Sequence, residues 1–302
     1  MIKHEKTIAA CVVTYNRKDK LVKCLHALLN QTYSDFQIIV VDNASTDGTK
    51  DAIQEFIQNN QIRYYNTGKN LGGAGGFNFA IKKVANKFSY LWIMDDDTYP
   101  NNDSLEEFVV HINTLDNEFG YLTSLVEWTD GTACLMNIQT LHDKPFSKIK
   151  FLENGLIPVK SASFVSLFIK SDVVKKVGLP IKEFFLWGDD TEYTQRLNSY
   201  GGYIVTSSVV LHDMENNDGI DILNSDYNRI QRYTLFIRNR IYIAKSSENK
   251  SKIIRAYLSP FKQCVRVLFK AKDNKFGRIR IIVKGLLQGI IFSPEIEYLE
   301  DI

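Results

Sequence analysis

Three adjacent carboxylates, Asp95-Asp96-Asp97, end the apolar run Tyr90-Leu91-Trp92-Ile93-Met94, and Thr98-Tyr99-Pro100 follows. The run reads as a buried strand stopped by proline. Neighbouring acids repel unless a cation neutralises them. Strand residues alternate in direction, so Asp95 and Asp97 converge while Asp96 points away. Such an oxygen pair suits Mg²⁺ or Mn²⁺ rather than zinc, and ions of that kind often also hold substrate phosphates. The competing reading is an acidic turn after a strand. A second acidic stretch is Phe184-Phe185-Leu186-Trp187-Gly188-Asp189-Asp190-Thr191-Glu192-Tyr193. Its aromatics lead into acids at a helix start, where the dipole stabilises an anion and exclusion of water raises a pKa. That is the profile of a general base; the alternative is that Asp189 caps the helix and Asp190 and Glu192 favour its first turn. His212 ends a further apolar run and is either a metal ligand or structural.

The preceding chain supplies elements to position these groups. Ile8 to Val13, Phe36 to Val41 and Ile62 to Tyr65 read as strands, with a helical period in Leu21, Leu25, Leu28 and Leu29. Thr46 or Asp47 is placed to cap the helix carrying Ile53, Phe56 and Ile57. Asn66 to Gly76 reads as a glycine-rich loop before a helix through Phe79, Ala80 and Val84. Strands alternating with helices imply an α/β, doubly wound, mostly parallel sheet. Four strands then end in polar clusters, Thr14 to Arg17, Asp42 to Asp47, Asn66 to Asn70 and Asp95 to Asp97, along one edge suited to a nucleotide. There Tyr15 offers a stacking surface and Arg17 a charge for a phosphate or an acid. Asp42 offers an acceptor for a base or ribose, unless it caps a helix. Gly72 to Gly76 either allow close backbone approach to a ligand or form a flexible turn; they match neither a GxGxxG fingerprint nor a P-loop.

Beyond Pro100 the pattern gives a helix through Leu105 and Phe108, then strands at Gly120 to Trp128 and Ala133 to Ile138. Residues 139–159 read as an irregular excursion able to touch an acceptor. Ser163 to Ile169 reads as a strand, Ser171 as the cap of a short helix, Gly202 to Val210 as a strand, and 214–226 as a mobile loop. Tyr227 to Ala244 reads as a helix. From Lys250 to Lys284 eleven Lys or Arg face one acid, Asp273, with apolar residues at helical spacing. Basic amphipathic helices of this kind can lie on anionic membranes; the competing reading is a helical pair packed on the core with a solvated basic face.

At 302 residues with 44% hydrophobic content, the chain can bury a sizeable core as one large domain or two small ones. Cys11, Cys24, Cys134 and Cys264 lack CxxC spacing, so buried thiols are expected rather than zinc or disulfides. No signal-peptide core and no spanning helix are expected. Nothing matches a nucleic-acid recognition motif.

Taken in order, Val12-Val13-Thr14-Tyr15-Asn16-Arg17, Val41-Asp42-Asn43-Ala44-Ser45-Thr46-Asp47, Asn70-Leu71-Gly72-Gly73, Asp95-Asp96-Asp97 and Gly188-Asp189-Asp190-Thr191-Glu192 resemble glycosyltransferase family 2, with the GT-A fold. The resemblance covers about 7–245 and is strongest to the bacterial branch containing galactofuranosyl- and rhamnosyltransferases. It implies a GT-A catalytic domain over 1–226 and a basic helical region over 227–302. It implies a donor site comprising Thr14, Tyr15, Arg17, Asp42, Asn70, Gly72, Gly73, Asp95 and Asp96. Mn²⁺ or Mg²⁺ would be held by Asp95, Asp97 and His212. Asp190 would be the base, with Trp187, Asp189 and Glu192 on the acceptor side. Asp189 departs from the commoner Glu, leaving Asp190 in the base position. The implied reaction is inverting transfer of a hexose (galactofuranose, galactose or rhamnose) from a UDP- or dTDP-sugar to a lipid-linked or polysaccharide acceptor. The expected setting is the inner face of the cell membrane, reached through 250–292, with homo-oligomerisation left open. The alternatives are a non-catalytic nucleotide-sugar binder and a sugar-nucleotide nucleotidyltransferase; the latter needs a basic glycine-rich loop where Thr14 to Arg17 stand.

Overall fold

The computed structural model describes residues 7–219, 221–223 and 227–299, with the backbone alone for 227–229. Strand β1 (Ile8–Thr14) is buried on both faces, which is why its sequence is a continuous apolar run rather than an alternating one. Ala9, Cys11 and Val13 face one core layer with Phe77 of helix α4 (Gly72–Val84); Ile8, Ala10 and Val12 face the other with Leu21 and Leu25 of α1 (Lys18–Leu29). Between them come β2 (Phe36–Asp42), short helices α2 (Thr49–Ala52) and α3 (Gln54–Gln58), and β3 (Ile62–Asn66). Neither Thr46 nor Asp47 is the N-cap: Gly48 holds that place in α2, with Asp47 Oδ1 accepting from the Thr49 amide at 3.1 Å, and Phe56 and Ile57 lie in the separate α3.

Next follow β4 (Tyr90–Asp95), β5 (Thr98–Pro100), α5 (Ser104–Thr114), β6 (Tyr121–Glu127), β7 (Thr140–Leu141), α6 (Ile149–Glu153), β8 (Leu156–Ser161), β9 (Leu167–Lys170), α7 (Ser171–Val177), α8 (Asp189–Leu197) and β10 (Gly202–His212). The sheet order is β3-β2-β1-β4-β9-β6-β10-β8-β7, with β5 on β10. Strands β3, β2, β1 and β4 are parallel. Strand β9 enters antiparallel between β4 and β6, and β6 pairs in parallel with β10. Register aligns Thr14 with Asp42, Asp42 with Asn66, and Val13 with Asp95, so the polar strand ends share one edge.

Several expected elements differ. Helix α4 begins at Gly72, so only 67–71 remain loop: Asn70 Oδ1 accepts from the Gly72 amide at 2.8 Å and opens the helix. Gly72 has φ +71° and a Cβ there would stand 2.2 Å from the Phe185 carbonyl, so glycine is required by packing. Pro100 does not end the apolar strand but sits within β5, where its missing N–H is tolerated. Ala133 to Ile138 is no strand: Ala133 makes a lone bridge to Glu127 and Leu135–Asn137 form a 3₁₀ turn. The excursion 139–159 holds β7, α6 and the start of β8, and the strand expected from Ser163 begins at Leu167. Ser171 is the first residue of α7 and makes no cap. Within the expected loop 214–226, residues 220 and 224–226 lie outside the described residues, while Ile222 is buried.

The chain ends in α9 (Tyr227–Ser246), α10 (Lys250–Lys270) and α11 (Lys275–Ile291). They share a core of Tyr233, Ile237, Ile241, Val267 and Ile282. Gly285 and Gly289 let α11 lie against α9, since a Cβ at Gly289 would stand 2.6 Å from Ile241 Cδ1. The layer is tied to the sheet domain: Tyr242 meets Phe184 edge-on, the Leu179 amide donates to the Glu297 carbonyl at 2.8 Å, and the Glu297 carboxylate pairs with Lys82 and Lys182. Among the described residues no helix is long and apolar enough to cross a membrane. All four cysteines are free thiols, three of them buried.

Candidate active site

The acidic triplet and His212 are 115 residues apart, and one short ladder joins them. Strand β5 turns back beside the end of β10, pairing His212 with Thr98, and the Asp213 amide donates to the Asp97 carbonyl at 2.9 Å. His212 Nε2 then stands 3.1 Å from Asp97 Oδ1, while Nδ1 lies 2.8 Å from Asn137 Oδ1. Ligand atoms of Asp95, Asp97 and His212 all fall within 4.8 Å of one another. Two carboxylates and one imidazole are a donor set that suits Mn²⁺ or Mg²⁺, so these residues fit the ion expected from the sequence.

Electrostatics at this cluster are unbalanced. Burial, then the charge on Asp97, pushes Asp95 up to about 7, and burial pushes Asp96 up to about 6 against the pull of Arg17. Burial works the same way on Asp97, but His212 and Arg17 hold it below the usual carboxylate range. Burial disfavours the His212 imidazolium, yet the hydrogen bond to Asp97 and the nearby carboxylates lift it to about 10. Arg17 Nη1 reaches Asp97 Oδ2 at 2.5 Å and Asp96 Oδ1 at 3.4 Å, and Lys20 Nζ lies 3.7 Å from Asp97. Asp96 stands outside the ligand cluster and accepts from Thr14 Oγ1 at 2.7 Å, but strand alternation is not the reason: β4 ends at Asp95, and Asp96 and Asp97 form the turn that follows.

The remaining donor-side candidates lie along the same edge. Tyr15 is exposed, at 42%. Asp42 is buried and accepts from the Ser45 amide at 2.8 Å and Tyr64 Oη at 2.7 Å. The Asn43 amide donates to the Gly72 carbonyl at 3.0 Å. Gly73 opens onto the cleft, whereas Gly72 is covered by Phe185.

A cleft of about 590 Å³ runs from Asp95 and His212 to Asp189 and Asp190, with Trp187 and Gly73 in its walls. Asp190 Oδ1 accepts from the Thr191 amide at 2.6 Å; burial raises its pKa and that bond restrains the rise. Asp189 is pushed well above its ordinary value by burial, then by Asp190 and Asp95. Glu192 departs from the sequence expectation. It does not line the cleft; its carboxylate is held by Arg196 at 2.7 and 2.8 Å, and Arg196 also donates to the Leu179 carbonyl. That pair fixes α8 and leaves Glu192 no free acceptor face toward the cleft.

The loop that leads into α8 and its acids is strained, with positive φ at Phe185 (63°) and Trp187 (66°), and turns through Gly188 (89°). Fully buried Asn239 of α9 holds it, its Nδ2 donating to the carbonyls of Phe184, Leu186 and Trp187 at 3.1, 3.1 and 2.8 Å. Sequence reading missed Asn239, as it missed Asn137 behind His212. A polar residue inside an amphipathic helix was the only available signal. Asn239→Ala takes the side-chain donor from the Leu186 and Trp187 carbonyls, while Phe184 keeps Arg238, and should cost about 1–3 kcal/mol. Calorimetry should show a Tm lowered by several degrees, and turnover should fall more than donor affinity.

The family model for glycosyl transferase family 2 matches residues 9–172, over half of the chain. Glycosyltransferase AglE of Haloferax volcanii is 28% identical over 205 residues, 66% of this chain and 63% of that protein. Galactofuranosyltransferase GlfT1 of Mycolicibacterium smegmatis is 27% identical over 204 residues, 64% of this chain and 66% of that protein. The matched stretch thus spans just under two thirds of these curated relatives. Among solved structures, GalNAc-T7 with UDP, GalNAc and Mn²⁺ superposes with a TM-score of 0.67 at 12% identity, covering 94% of this chain and 55% of the other. Mannosyltransferase PcManGT from Pyrobaculum calidifontis, with GDP-Man and Mn²⁺, gives 0.58 at 12% identity over 96% and 88%. The fold is the GT-A arrangement that these structures share. With the matched span running from β1 into α7 and taking in the acidic triplet, this chain belongs to glycosyl transferase family 2.

Proposed function

We propose that this chain is an inverting, metal-dependent glycosyltransferase that moves a hexose from a UDP- or dTDP-sugar to a hydroxyl of a membrane-borne glycan. The observation that carries this is the single cleft with Asp95 and His212 at one end and Asp190 at the other. In the proposed step Asp190 takes the proton of the acceptor hydroxyl, and that oxygen bonds to the anomeric carbon as the bond to the diphosphate breaks. One displacement inverts the carbon, and the nucleoside diphosphate leaves. Mn²⁺ or Mg²⁺ held by Asp95, Asp97 and His212 supplies charge that offsets the leaving diphosphate. Arg17 and Lys20, already beside Asp97, add positive charge at the same place. Thr14, Tyr15, Asp42 and Asn70 form the nucleotide edge, and Trp187 and Asp189 the acceptor wall. The sheet domain over 1–226 and the helices over 227–302 work as one unit, because α9 holds the loop that leads into α8, which bears the base.

Purified protein offered UDP-galactofuranose, UDP-galactose and dTDP-rhamnose should release nucleotide from one donor, only with Mn²⁺ or Mg²⁺ present. A protein that binds these nucleotides and releases none would be the non-catalytic relative instead.

The same reading places the protein at the inner face of the cell membrane. On α10, Ile254, Leu258, Phe261, Val265 and Leu268 are all exposed at helical spacing, and Phe269, Phe276 and Ile291 are more than four-fifths exposed. Of the eleven Lys or Arg between 250 and 284, Arg278 is buried and paired with Asp273, and the others lie along α10 and α11 or, for Lys272, between them. Apolar contact plus cationic charge matches an anionic bilayer. Leu258→Ser, Phe261→Ser and Phe269→Ser together should release the protein from phosphatidylglycerol vesicles in a sedimentation assay. Retention on the vesicles, or a halved mass in solution, would assign this face to a copy of the chain instead.

A further inference from the structure

The cleft has a second, cationic wall that the proposed chemistry leaves unused. Arg240 of α9 and Lys252 and Arg255 of α10 line the same space as Asp95, Asp190 and His212. Lys252 and Arg255 stand three residues apart near the start of α10 and so share a helix face. Neighbouring cations are engaged elsewhere. Arg238 donates to the carbonyls of Glu183 and Phe184, Arg196 pairs with Glu192, and Arg266 pairs with Asp221. Among the described residues no carboxylate comes within 4.0 Å of Arg240, Lys252 or Arg255. Asp143, on which Lys252 acts weakly, is itself paired with Lys160.

Arg240 is also oriented. Its guanidinium lies 5.3 Å from the centre of the Phe236 ring, and that ring packs edge-on to Trp187 at 6.0 Å. It keeps solvent contact, yet the cleft walls desolvate it enough to lower its pKa from the usual arginine value. A cation kept this way without a counter-charge is a ready partner for an anion.

In the reading proposed above the donor's diphosphate does not account for this wall, because that charge goes to the metal ligands at the Asp95 and His212 end of the cleft, with Arg17 and Lys20 beside Asp97. A neutral sugar does not account for it either. We propose that Arg240, Lys252 and Arg255 bind a phosphate or diphosphate group carried by the acceptor, so that the acceptor is a short glycan phosphate whose free hydroxyl reaches Asp190. This inference rests on the transferase reading above. Continuity supports a lipid-borne phosphate: the exposed apolar stripe of α10 starts at Ile254 and Leu258, directly beside Lys252 and Arg255. A lipid tail leaving the phosphate would run along that stripe toward the bilayer.

The test is calorimetric titration of farnesyl phosphate, and separately of inorganic phosphate, into protein saturated with UDP and Mn²⁺. Three charged hydrogen-bonding groups are lost in Arg240→Gln/Lys252→Gln/Arg255→Gln, so affinity for farnesyl phosphate should fall on the order of 100-fold. Affinity for UDP with Mn²⁺ should be unchanged, which also shows that the variant is folded. Binding of farnesyl phosphate alone supports a lipid-borne acceptor. Equal binding of inorganic phosphate supports recognition of the phosphate group whatever carries it. Undiminished binding by the variant, or no binding of either probe by the native protein, overturns the inference. Failure of the native protein to bind any nucleotide with Mn²⁺ counts against the transferase reading itself.

Discussion

Asp190→Asn should lower sugar transfer about 10²- to 10⁴-fold, the usual contribution of a positioned general base, and leave UDP–Mn²⁺ affinity unchanged. Asparagine keeps the shape of the side chain and an oxygen to accept from the Thr191 amide, a bond of 2.6 Å in the native protein. Only the ability to take a proton is removed. Asp190 lines the cleft but has no contact with Asp95, Asp97 or His212 that would couple it to metal binding. Calorimetry with UDP and Mn²⁺ beside a nucleotide-release assay separates the two effects; loss of nucleotide binding would remove Asp190 from the role of base. The pH profile adds a second check. Burial raises the Asp190 pKa, and the active form is the ionised one. Native activity should therefore fall as pH drops through a value above the ordinary carboxylate range, and the residual rate of the Asn variant should lack that acid limb. Asp189→Asn acts on a different balance, because Asp189 shares its charge field with Asp95 as well as Asp190.

The second large effect concerns the metal cluster. Chelation should abolish nucleotide release, by at least about 100-fold, and added Mn²⁺ should restore it. Asp95→Asn should reproduce the chelated rate irreversibly. It should do so without unfolding the protein. Asp97 is engaged by His212, Arg17 and Lys20, so its removal would take the His212 imidazolium's carboxylate partner and leave Arg17 and Lys20 only their longer contacts to Asp96 and Asp213. Asp95 makes no such pair, and its ionised form is disfavoured by burial and by Asp97. Removing that charge relieves repulsion, so Asp95→Asn should melt in chelator no lower than the native protein. The native protein should gain Tm on adding Mn²⁺, since a ligand bound only by the folded state stabilises it, and the variant should gain little. An equal Mn²⁺-dependent gain in both would exclude Asp95 as a ligand. His212→Ala should likewise weaken Mn²⁺ binding.

Local chemistry was the readable part. A continuous apolar run such as Ile8 to Val13 signals a strand covered on both faces, and acids after such a run signal a ligand-binding sheet edge. The parallel pairing of β3, β2, β1 and β4 follows from strands alternating with helices along the chain, whereas Asp96 and Asp97 lie in the turn after β4, where Thr14 and Arg17 rather than strand alternation hold them. Where the expectation failed, long-range packing had decided. Gly72 was drawn into α4 because Phe185, 113 positions later, covers its α-carbon. The stretch after Ala133 became a 3₁₀ turn that places Asn137 behind His212. Glu192 looked equivalent to its acidic neighbours, but helical geometry carries it to Arg196 four residues on and away from the cleft.

The sequence by itself therefore determined the strands β1 to β4 and the two acidic clusters, because each depends on residues close together along the chain. Only the tertiary structure decided which carboxylates share the cleft, that Asn239 braces the loop beneath them, and that Arg240, Lys252 and Arg255 form its far wall. The reason is that a side chain's partners are set by which surfaces pack together, and helices α9 and α10 reach the site across distances that no local pattern encodes.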